Sequence, residues 1–467
     1  MLTEVKSPGL LDRVLRRFDL MSLYFALIFG AYGAAQMTAE GWAGIPMLIL
    51  AAVTFLLPTA LAAYELGTLF PGEGGIYIWT HKALGPVHGF ISGWLSWVPI
   101  FFLLPLGAST IVAHVELVLG IKLSLSANIL LQSGVIIAIT IISCIKLVFS
   151  QRYINWMFFV SFATAVIVFG VALYSGKHAT PVDASLFDFN VLKHGAMYSA
   201  AILWLLGVEV PFNMGDEIKD HKKSAGFMLL VGTLALMFAY IIGIAGVLLL
   251  LPAGSINAVT GVTDAVKSIS PFLGLAVGVM ICFAVSSQDV AYMNAYSRLL
   301  FVSGLEKRMP PVMSYLTSKK VPVAAILVQC VGGILVVVFF TTQQNLAATF
   351  QLYIASLIVV WVVSLFYLMI ALPLIRKKFA QKYQDNDSVW RIPGRSAIMW
   401  LVVILGFFFN FVAIYYVFAN PFTADISAAE WRRWLISMVV VVILAGLAIF
   451  FIGEKLNHGE LDESAQQ

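Results

Sequence analysis

Two stretches of this sequence decide its fold: FALIFGAYGAAQMTAEGW at residues 25–42 and AAILWLLGVEVPFNMGDE at residues 200–217. Both are apolar enough to lie inside a membrane, yet both carry residues that weaken a helix near the middle. The first contains Gly30 and Gly33, and the second contains Gly207, with Pro211 one turn later. Glycine is also common where membrane helices pack closely, so each stretch taken singly is ambiguous. Together they indicate a fold built around two interrupted membrane helices.

The rest of the chain is as apolar as these two stretches. Of its 467 residues, 61% are hydrophobic and only 11% are charged, and the mean hydropathy is +0.94. Soluble globular proteins carry about a quarter charged residues, so the composition argues against a soluble multidomain enzyme. The net charge of +4 is too small to indicate a nucleic-acid partner. The composition predicts an all-α protein embedded in a lipid bilayer.

Apolar runs separated by polar breaks predict twelve membrane spans, each with at least the roughly 20 residues that a crossing needs. In the first half they cover residues 21–41, 45–69, 87–117, 124–147, 154–174 and 196–217. In the second half they cover residues 226–251, 272–302, 322–341, 348–375, 397–419 and 432–452. Glycine and proline interrupt the segment 71–86 too often for a span, so we expect a re-entrant or interfacial connection there.

No soluble domain interrupts the spans. The predicted parts are an N-terminal segment at 1–20, a ten-span core at 21–375, a polar loop at 376–396, spans eleven and twelve at 397–452, and a tail at 453–467.

The basic residues predict the orientation of the chain. Twelve spans place both termini on one side, and 22 of the 28 Lys and Arg residues then lie on that side, with 6 opposite. Loops on the cytoplasmic side of membrane proteins carry an excess of Lys and Arg. We therefore expect a multi-pass protein of the cell membrane with its N- and C-termini in the cytoplasm.

The two interrupted stretches fall in the first and sixth predicted spans, five spans apart. This spacing is typical of two inverted five-span repeats, in which interrupted helices meet near the bilayer midplane. Free N–H groups at one helix end would hold a carboxylate, and exposed carbonyls would hold an ammonium group or a cation. An amino-acid backbone carries both charges. The predicted main-chain substrate site consists of Gly30, Ala31, Gly33, Trp204, Leu205 and Gly207.

Enzyme and metal motifs are missing from the sequence. It contains no GxxxxGK[ST] phosphate loop, no HExxH and no CxxC, and none of its seven histidines forms an i,i+4 pair on a span. We therefore predict no enzyme activity, no cofactor and no metal site.

Five stretches, in order along nearly the whole chain, resemble the amino acid–polyamine–organocation superfamily of transporters. The longest is AAYELGTLFPGEGGIYIWTHKALGPVHGFISGW at residues 62–94, which is similar to that family's signature between spans two and three. The others lie at residues 207–219, 297–316, 321–323 and 391–394. The resemblance implies a 5+5 inverted-repeat core with broken helices one and six, two extra helices, and transport by alternating access.

The resemblance also implies the substrates: amino acids, their decarboxylated amines, or polyamines. The spacing from Gly30 to Gly33 is closest to glutamate/γ-aminobutyrate exchangers and polyamine-uptake relatives. The latter tend to carry an acid just after the second glycine, where this chain has Ala34 and Ala35, which weakens a polyamine assignment. Many sodium-independent members have a lysine in span five, but residues 154–166 contain none. Exchange, proton coupling and sodium coupling therefore stay open.

Two acids lie inside predicted spans, where each costs about 2.5–3.5 kcal/mol to insert. Glu209, two residues beyond Gly207, is the predicted proton-coupling or gating residue, and it could also link span six to span eight. Asp289, in the middle of span eight, could confer a preference for a cationic group. For both acids the alternative is a structural carboxyl group that is hydrogen-bonded within the protein.

Hydroxyl and aromatic residues near these acids complete the candidate site. Ser286 and Ser287 are possible ligands of a cation such as sodium. Tyr32, Trp204 and Tyr292 could stack on the substrate from spans one, six and eight, although aromatic residues in membrane helices more often only pack in the core.

The sequence thus predicts a secondary active transporter of amino acids or derived amines, working by exchange or proton coupling. Its expected partners are a small-molecule substrate, the lipid bilayer, and a coupling proton or sodium ion, but no nucleic acid. The alternatives are a polyamine or other organic-amine carrier, and a non-transporting amino-acid receptor. A receptor would need a signalling domain, for which the loop at 376–396 and the tail at 453–467 leave little room.

Overall fold

The computed structural model of this chain describes residues 10–342, 346–383, 389–421 and 425–464. Within these ranges the chain is helical and contains no β-strand, only two isolated bridges. The remaining residues of the predicted N-terminal segment, polar loop and tail lie outside the described part, at 1–9, 384–388 and 465–467.

The helices follow one another with short connections. The first ones are α1 (Arg17–Ile28), α2 (Ala31–Gln36), α3 (Gly44–Ala51), α4 (Leu57–Leu69), α5 (Gly75–Leu84), α6 (Pro86–Trp97), α7 (Ile100–Leu119), α8 (Leu125–Ser143), α9 (Leu147–Ser175) and α10 (Gly195–Leu203). They are followed by α11 (His221–Phe227), α12 (Thr233–Leu250), α13 (Gly261–Lys267), α14 (Pro271–Leu305), α15 (Val323–Thr341), α16 (Leu346–Lys378), α17 (Arg395–Ala419) and α18 (Ala428–Ser464). Single π-helical turns at Ala52–Leu56 and Met228–Gly232 join α3 to α4 and α11 to α12.

Ten helical segments of the described chain are long and apolar enough to cross a membrane. They are Gly41–Leu69, Pro86–Leu119, Leu125–Ser143, Leu147–Ser175, His221–Leu250, Pro271–Leu305, Val323–Thr341, Ile354–Lys378, Ser396–Ala419 and Ala428–Lys455. Each coincides with one of the twelve predicted spans. The two predicted spans without such a helix are 21–41 and 196–217, which are the two that carry the interruptions.

Several helices are longer than their predicted spans. The helix of span five begins at Leu147 rather than at 154, α16 continues to Lys378, and α18 continues to Ser464. Hydropathy detects only the apolar part of a helix, whereas the backbone hydrogen bonds of a helix can continue into polar sequence.

Segment one (residues 17–36) is interrupted at the position that the glycines predict. α1 ends at Ile28, and Phe29 and Gly30 are extended, with φ −110° and ψ 119° at Gly30. α2 then begins at Ala31 and has only six residues.

Segment six (residues 195–217) is interrupted over a longer distance. α10 ends at Leu203, and after six residues of turns the chain forms only 3₁₀ turns at Val210–Asn213 and Gly215–Glu217. Gly207 has φ +107°, a backbone conformation that residues other than glycine rarely adopt. The turn therefore requires glycine at this position.

The interrupted segments lie in the interior of the helix bundle. α1 packs against α9 and α14, α2 packs against α12, and α10 packs against α3 and α17. Backbone that is not helical can persist at membrane depth where protein covers it.

The signature block at 62–94 contains the segment 71–86, for which the sequence predicts a re-entrant or interfacial connection. Most of it forms α5, which packs on α6 and α16. Its Gly74 N–H donates to the Asn213 carbonyl of segment six at 2.8 Å. Glu73 is fully buried, and this burial raises the pKa of its carboxyl group well above the usual range.

Glu65, at the start of the same block, forms a buried ion pair with Arg376 of α16. Its carboxylate accepts from Arg376 Nε at 2.6 Å and Nη2 at 2.5 Å. It also accepts from the Tyr383 hydroxyl at 2.9 Å and the Ile392 N–H at 2.8 Å. The hydrogen bonds of Glu65 therefore connect span two to span ten and to the residues that follow span ten.

Replacing Arg376 by Gln should leave the Glu65 carboxylate buried without its cation. We expect the free energy of unfolding to fall by about 3–5 kcal/mol. Chemical denaturation in detergent micelles measures this difference. Lys377→Gln, an exposed change on the same helix, is the matched control and should stay within about 0.5 kcal/mol of the wild type. Equal effects of the two substitutions would contradict a structural role for the ion pair.

Candidate substrate site

Two tyrosines close the break in segment one. The Tyr240 hydroxyl of α12 donates to the Ile28 carbonyl at 2.8 Å and accepts from the Gly30 N–H at 3.1 Å. The Tyr292 hydroxyl of α14 donates to the Leu27 carbonyl. The Leu27 and Ile28 carbonyls at the end of α1 thus already have hydrogen-bond donors from the protein.

The indole of Trp204 joins segment six to segment one. It covers Gly33 so closely that a Cβ atom there would lie 2.6 Å from Trp204 Cδ2. A Cβ atom on Gly30 would lie 3.2 Å from Trp204 Cζ3. The Tyr32 ring meets the indole edge-on, with ring centroids 4.9 Å apart. The structure therefore brings the predicted site residues of both segments into contact.

Some predicted main-chain groups are open and others are occupied. No side chain caps α2, so the Ala31 and Tyr32 N–H groups at its start have no side-chain partner among the described residues, whereas the Gly33 N–H donates to the Gly30 carbonyl at 2.8 Å. In segment six, the Leu205 N–H donates to the Ile202 carbonyl at 3.0 Å, and the Gly207 carbonyl accepts from Val210 N–H at 3.1 Å.

Glu209 of segment six is hydrogen-bonded to α16. Its carboxyl group is fully buried, and its Oε1 atom accepts from Trp361 Nε1 at 2.8 Å. Its Oε2 atom has no hydrogen-bond partner among the described residues. The hydrogen bond from Trp361 links the broken segment to span ten, whereas the sequence suggested a link to span eight. Trp361 also meets Tyr292 edge-on, with ring centroids 6.4 Å apart.

Asp289 is buried on α14 opposite a glycine of α7. Only 1% of its surface is exposed, and its Oδ2 atom has no hydrogen-bond partner in the described part of the chain. A Cβ atom on Gly107 would lie 2.1 Å from that oxygen, so the glycine makes room for the carboxylate.

The two serines of span eight bond to different groups. The Ser286 hydroxyl shares a hydrogen bond with the Tyr153 hydroxyl at 2.5 Å, and it donates to the Phe283 carbonyl at 2.8 Å. The Ser287 hydroxyl donates to the Ala284 carbonyl of its own helix at 2.8 Å. No cluster of three or more His, Cys, Asp or Glu side chains able to hold a metal ion occurs among the described residues.

Four of the buried polar atoms that lack a hydrogen-bond partner belong to these residues and to Tyr296, which packs against Tyr292 and Trp361. These buried atoms, which have no hydrogen-bond partner in the described structure, are Trp204 Nε1, Glu209 Oε2, Asp289 Oδ2 and the Tyr296 hydroxyl. A buried polar atom without a hydrogen bond costs about 1–3 kcal/mol. A ligand that offers both donors and acceptors would recover this free energy. The arrangement therefore suits a small polar molecule that carries charge.

The sequence did not point to several residues of the site. Tyr240, Trp361, Tyr296 and Gly107 each belong to a strongly apolar span. The chain contains 16 Tyr, 11 Trp and 36 Gly residues, so residue type alone cannot distinguish these four. Only their contacts across the bundle identify them.

The family model described as amino acid permease matches residues 15–454. The chain belongs to the amino acid permease family. The predicted superfamily resemblance is thereby confirmed. The permease is a multi-pass membrane transporter of a small molecule and not an enzyme.

Curated relatives are similar to the permease at low identity. An uncharacterized transporter of Legionella pneumophila is 24% identical over 88% of this chain and 90% of its own length. A glutamate/γ-aminobutyrate antiporter of Lactococcus lactis is 23% identical over 96% of this chain and 92% of its own. A probable agmatine/putrescine antiporter of the same species is 28% identical over 53% of this chain and 55% of its own.

Gly33→Ala tests the contact between the two segments. The added methyl group would overlap the Trp204 ring, and overpacking of this kind costs about 1–3 kcal/mol. We expect a lower midpoint of thermal unfolding, and partial recovery in the double variant Gly33→Ala/Trp204→Phe. Gly134→Ala on α8, where an added Cβ meets nothing within 4 Å, is the matched control. No recovery by the smaller ring would contradict the packing argument.

Proposed function

We propose that this permease is a secondary active transporter of an amino acid or a derived amine, working by alternating access across the cell membrane. The observation that carries the proposal is the contact of Trp204 with Gly33, which joins two interrupted segments beside the buried carboxyl groups of Glu209 and Asp289. Interrupted helices of this kind bind substrates in many transporters.

We further propose twelve membrane crossings with a 5+5 inverted-repeat core. Segments one and six supply the two crossings that no long helix accounts for. Their separation by five spans supports the repeat. The excess of basic residues supports cytoplasmic N- and C-termini.

The substrate chemistry follows from the groups around the contact. The uncapped N–H groups at the start of α2, near Ala31, are suited to a substrate carboxylate. The unpartnered oxygen of Asp289 is suited to a substrate ammonium group. The rings of Tyr32 and Tyr292 would then pack on the remainder of the substrate. The antiporter relatives support exchange of one such molecule for another.

An amine or polyamine carrier is the second candidate. It is favoured by the unpartnered Asp289 oxygen, because a substrate with no carboxylate would still have an acid to bind. The probable agmatine/putrescine antiporter supports it over half of the chain. The absence of an acid at Ala34 and Ala35 argues against it.

Uptake into proteoliposomes tests the proposal directly. We would load the vesicles with glutamate, γ-aminobutyrate, agmatine, putrescine or buffer, and measure entry of each labelled compound with and without a pH or sodium gradient. Uptake that requires a substrate inside demonstrates exchange. Uptake driven by a gradient alone identifies the coupling ion. Binding without uptake of any compound would contradict transport and favour the receptor alternative.

Glu209→Gln tests proton coupling. The substitution keeps an acceptor for Trp361 Nε1 but removes the titration of the carboxyl group. We expect the dependence of uptake on pH to flatten, while transport at the optimal pH remains measurable. Glu116→Gln, near the end of span three, serves as the control and should retain the wild-type pH profile. A wild-type profile in Glu209→Gln would contradict the coupling role.

Asp289→Asn tests recognition of the ammonium group. A hydrogen bond to a charged group contributes about 1.5–3 kcal/mol, so affinity for cationic substrates should fall by about 10- to 150-fold. Inhibition constants for a panel of amines and amino acids measure the change. Asp264→Asn on α13 is the control, and we expect it to leave the ranking of substrates unchanged. If Asp289→Asn also leaves the ranking and the ion dependence unchanged, the proposed role is wrong.

A further inference from the structure

A polar cavity lies at the end of the bundle where α1 begins, away from the contact between Trp204 and Gly33. It is a notch of about 420 Å³ between the N-terminal segment, the start of α9 and Lys219, which lies two residues after the last turn of segment six. Its polar lining consists of Arg16, Asp19, Gln151, Arg152, Asn155 and Lys219. None of these residues takes part in the proposed transport site.

The notch has an excess of positive charge. Arg16, Arg152 and Lys219 are exposed, and none of them forms an ion pair with another described residue. The one carboxylate of the lining, Asp19, is already bonded to the Asn155 amide at 2.6 Å and to the Arg16 main-chain N–H at 2.8 Å. The three cations therefore remain available to an anion.

The lining also contains a hydrogen-bond acceptor that has no donor. Gln151 is 3% exposed, and its Nε2 atom donates to the Asp19 carbonyl at 2.9 Å. Its Oε1 atom is buried and has no hydrogen-bond partner in the described chain. A ligand that satisfies the notch would therefore carry a hydroxyl or similar donor as well as negative charge.

One side of the notch continues into an exposed aromatic surface. Arg152 lies on the same face of α9 as Phe149 and Trp156, three residues before it and four after it. Phe149 and Trp156 are 55% and 71% exposed, and the Arg152 guanidinium lies 5.7 Å from the Phe149 ring centroid. Phe159, one turn further, stacks on Phe18 of α1 with ring centroids 5.8 Å apart. Exposed aromatic residues beside a basic residue at the end of a membrane helix are typical of the lipid interface.

We propose that this notch binds the headgroup of an anionic phospholipid. The phosphodiester would lie among Arg16, Arg152 and Lys219, a headgroup hydroxyl would donate to Gln151 Oε1, and the acyl chains would follow the aromatic surface of α9. A lipid of the phosphatidylglycerol type has this combination of groups.

Such a lipid would connect parts of the chain that already meet at the notch. The Leu15 N–H donates to the Glu217 carbonyl at 2.9 Å, and the Lys219 N–H donates to the Leu15 carbonyl at 2.8 Å. The headgroup would add a contact between this junction and α9. Because the headgroup would contact Arg16, at the start of α1, and Lys219 together, the lipid would stabilise this junction between the N-terminal segment and the end of segment six.

Lipid binding to the purified full-length protein tests the proposal without requiring transport. Native mass spectrometry and thermal unfolding would compare phosphatidylglycerol with phosphatidylcholine. In Arg152→Gln/Lys219→Gln we expect affinity for phosphatidylglycerol to fall by roughly 25-fold, about fivefold for each basic residue. The matched control Arg13→Gln/Arg17→Gln removes two exposed charges near the notch that are not part of its lining, and should retain the wild-type affinity.

Three results would overturn the proposal. Equal losses in both double variants would assign the effect to general surface charge. Phosphatidylcholine binding as tightly as phosphatidylglycerol would remove the role of the anion. Equal stabilisation by free glycerol 3-phosphate in neutral detergent would assign the notch to soluble phosphate esters.

A second experiment leaves the lining of the notch unchanged, so it remains informative if the double variant Arg152→Gln/Lys219→Gln fails to fold. Trp156 fluorescence, obtained as the difference between wild type and Trp156→Phe, would be recorded in nanodiscs with brominated acyl chains. We expect stronger quenching by brominated phosphatidylglycerol than by brominated phosphatidylcholine at equal mole fraction. Equal quenching would contradict a lipid site at this position.

Discussion

The structure depends on how backbone polar groups are satisfied where segment one is interrupted. In a bilayer each unpaired N–H or carbonyl costs several kcal/mol, so a break persists where other protein groups, water or a ligand supply the missing hydrogen bonds. Tyr240 and Tyr292 supply them at Leu27, Ile28 and Gly30. Both tyrosines belong to helices that follow segment six. The conformation of the first segment therefore requires the second half of the chain to be folded around it.

The few buried charges divide into two groups with different consequences. Near the end of the bundle where α1 begins, Glu65 pairs with Arg376, and Glu217 pairs with Arg298 at 2.8 Å. These pairs hold connections in place, because bidentate hydrogen bonds between Arg and a carboxylate are strong and geometrically specific. Glu209 and Asp289 each keep an oxygen without a partner. They lie beside the interrupted segments, where an incoming charge or proton could satisfy them.

Much of this arrangement could be predicted from local sequence. Hydropathy located the ten long helices, and Gly30 and Gly207 located the two breaks. The cost of an acid in an apolar span identified Glu209 and Asp289 as candidates, although it did not reveal the hydrogen bond from Trp361 to Glu209. The extension of helices into polar sequence was missed because hydropathy does not respond to helical hydrogen bonding outside the apolar region.

The sequence by itself determined that the chain enters a membrane, how its long apolar helices follow one another, and where two of the spans lose their helical hydrogen bonds. These properties are local, because they depend on the hydropathy of about 20 consecutive residues and on the backbone freedom of glycine. Only the tertiary structure decided which groups close the break, which acids stay unpaired, and that Gly107 makes room for Asp289. Tyr240 and Ile28 are 212 positions apart in the chain, and a contact of that kind is set by helix packing rather than by any pattern along the sequence.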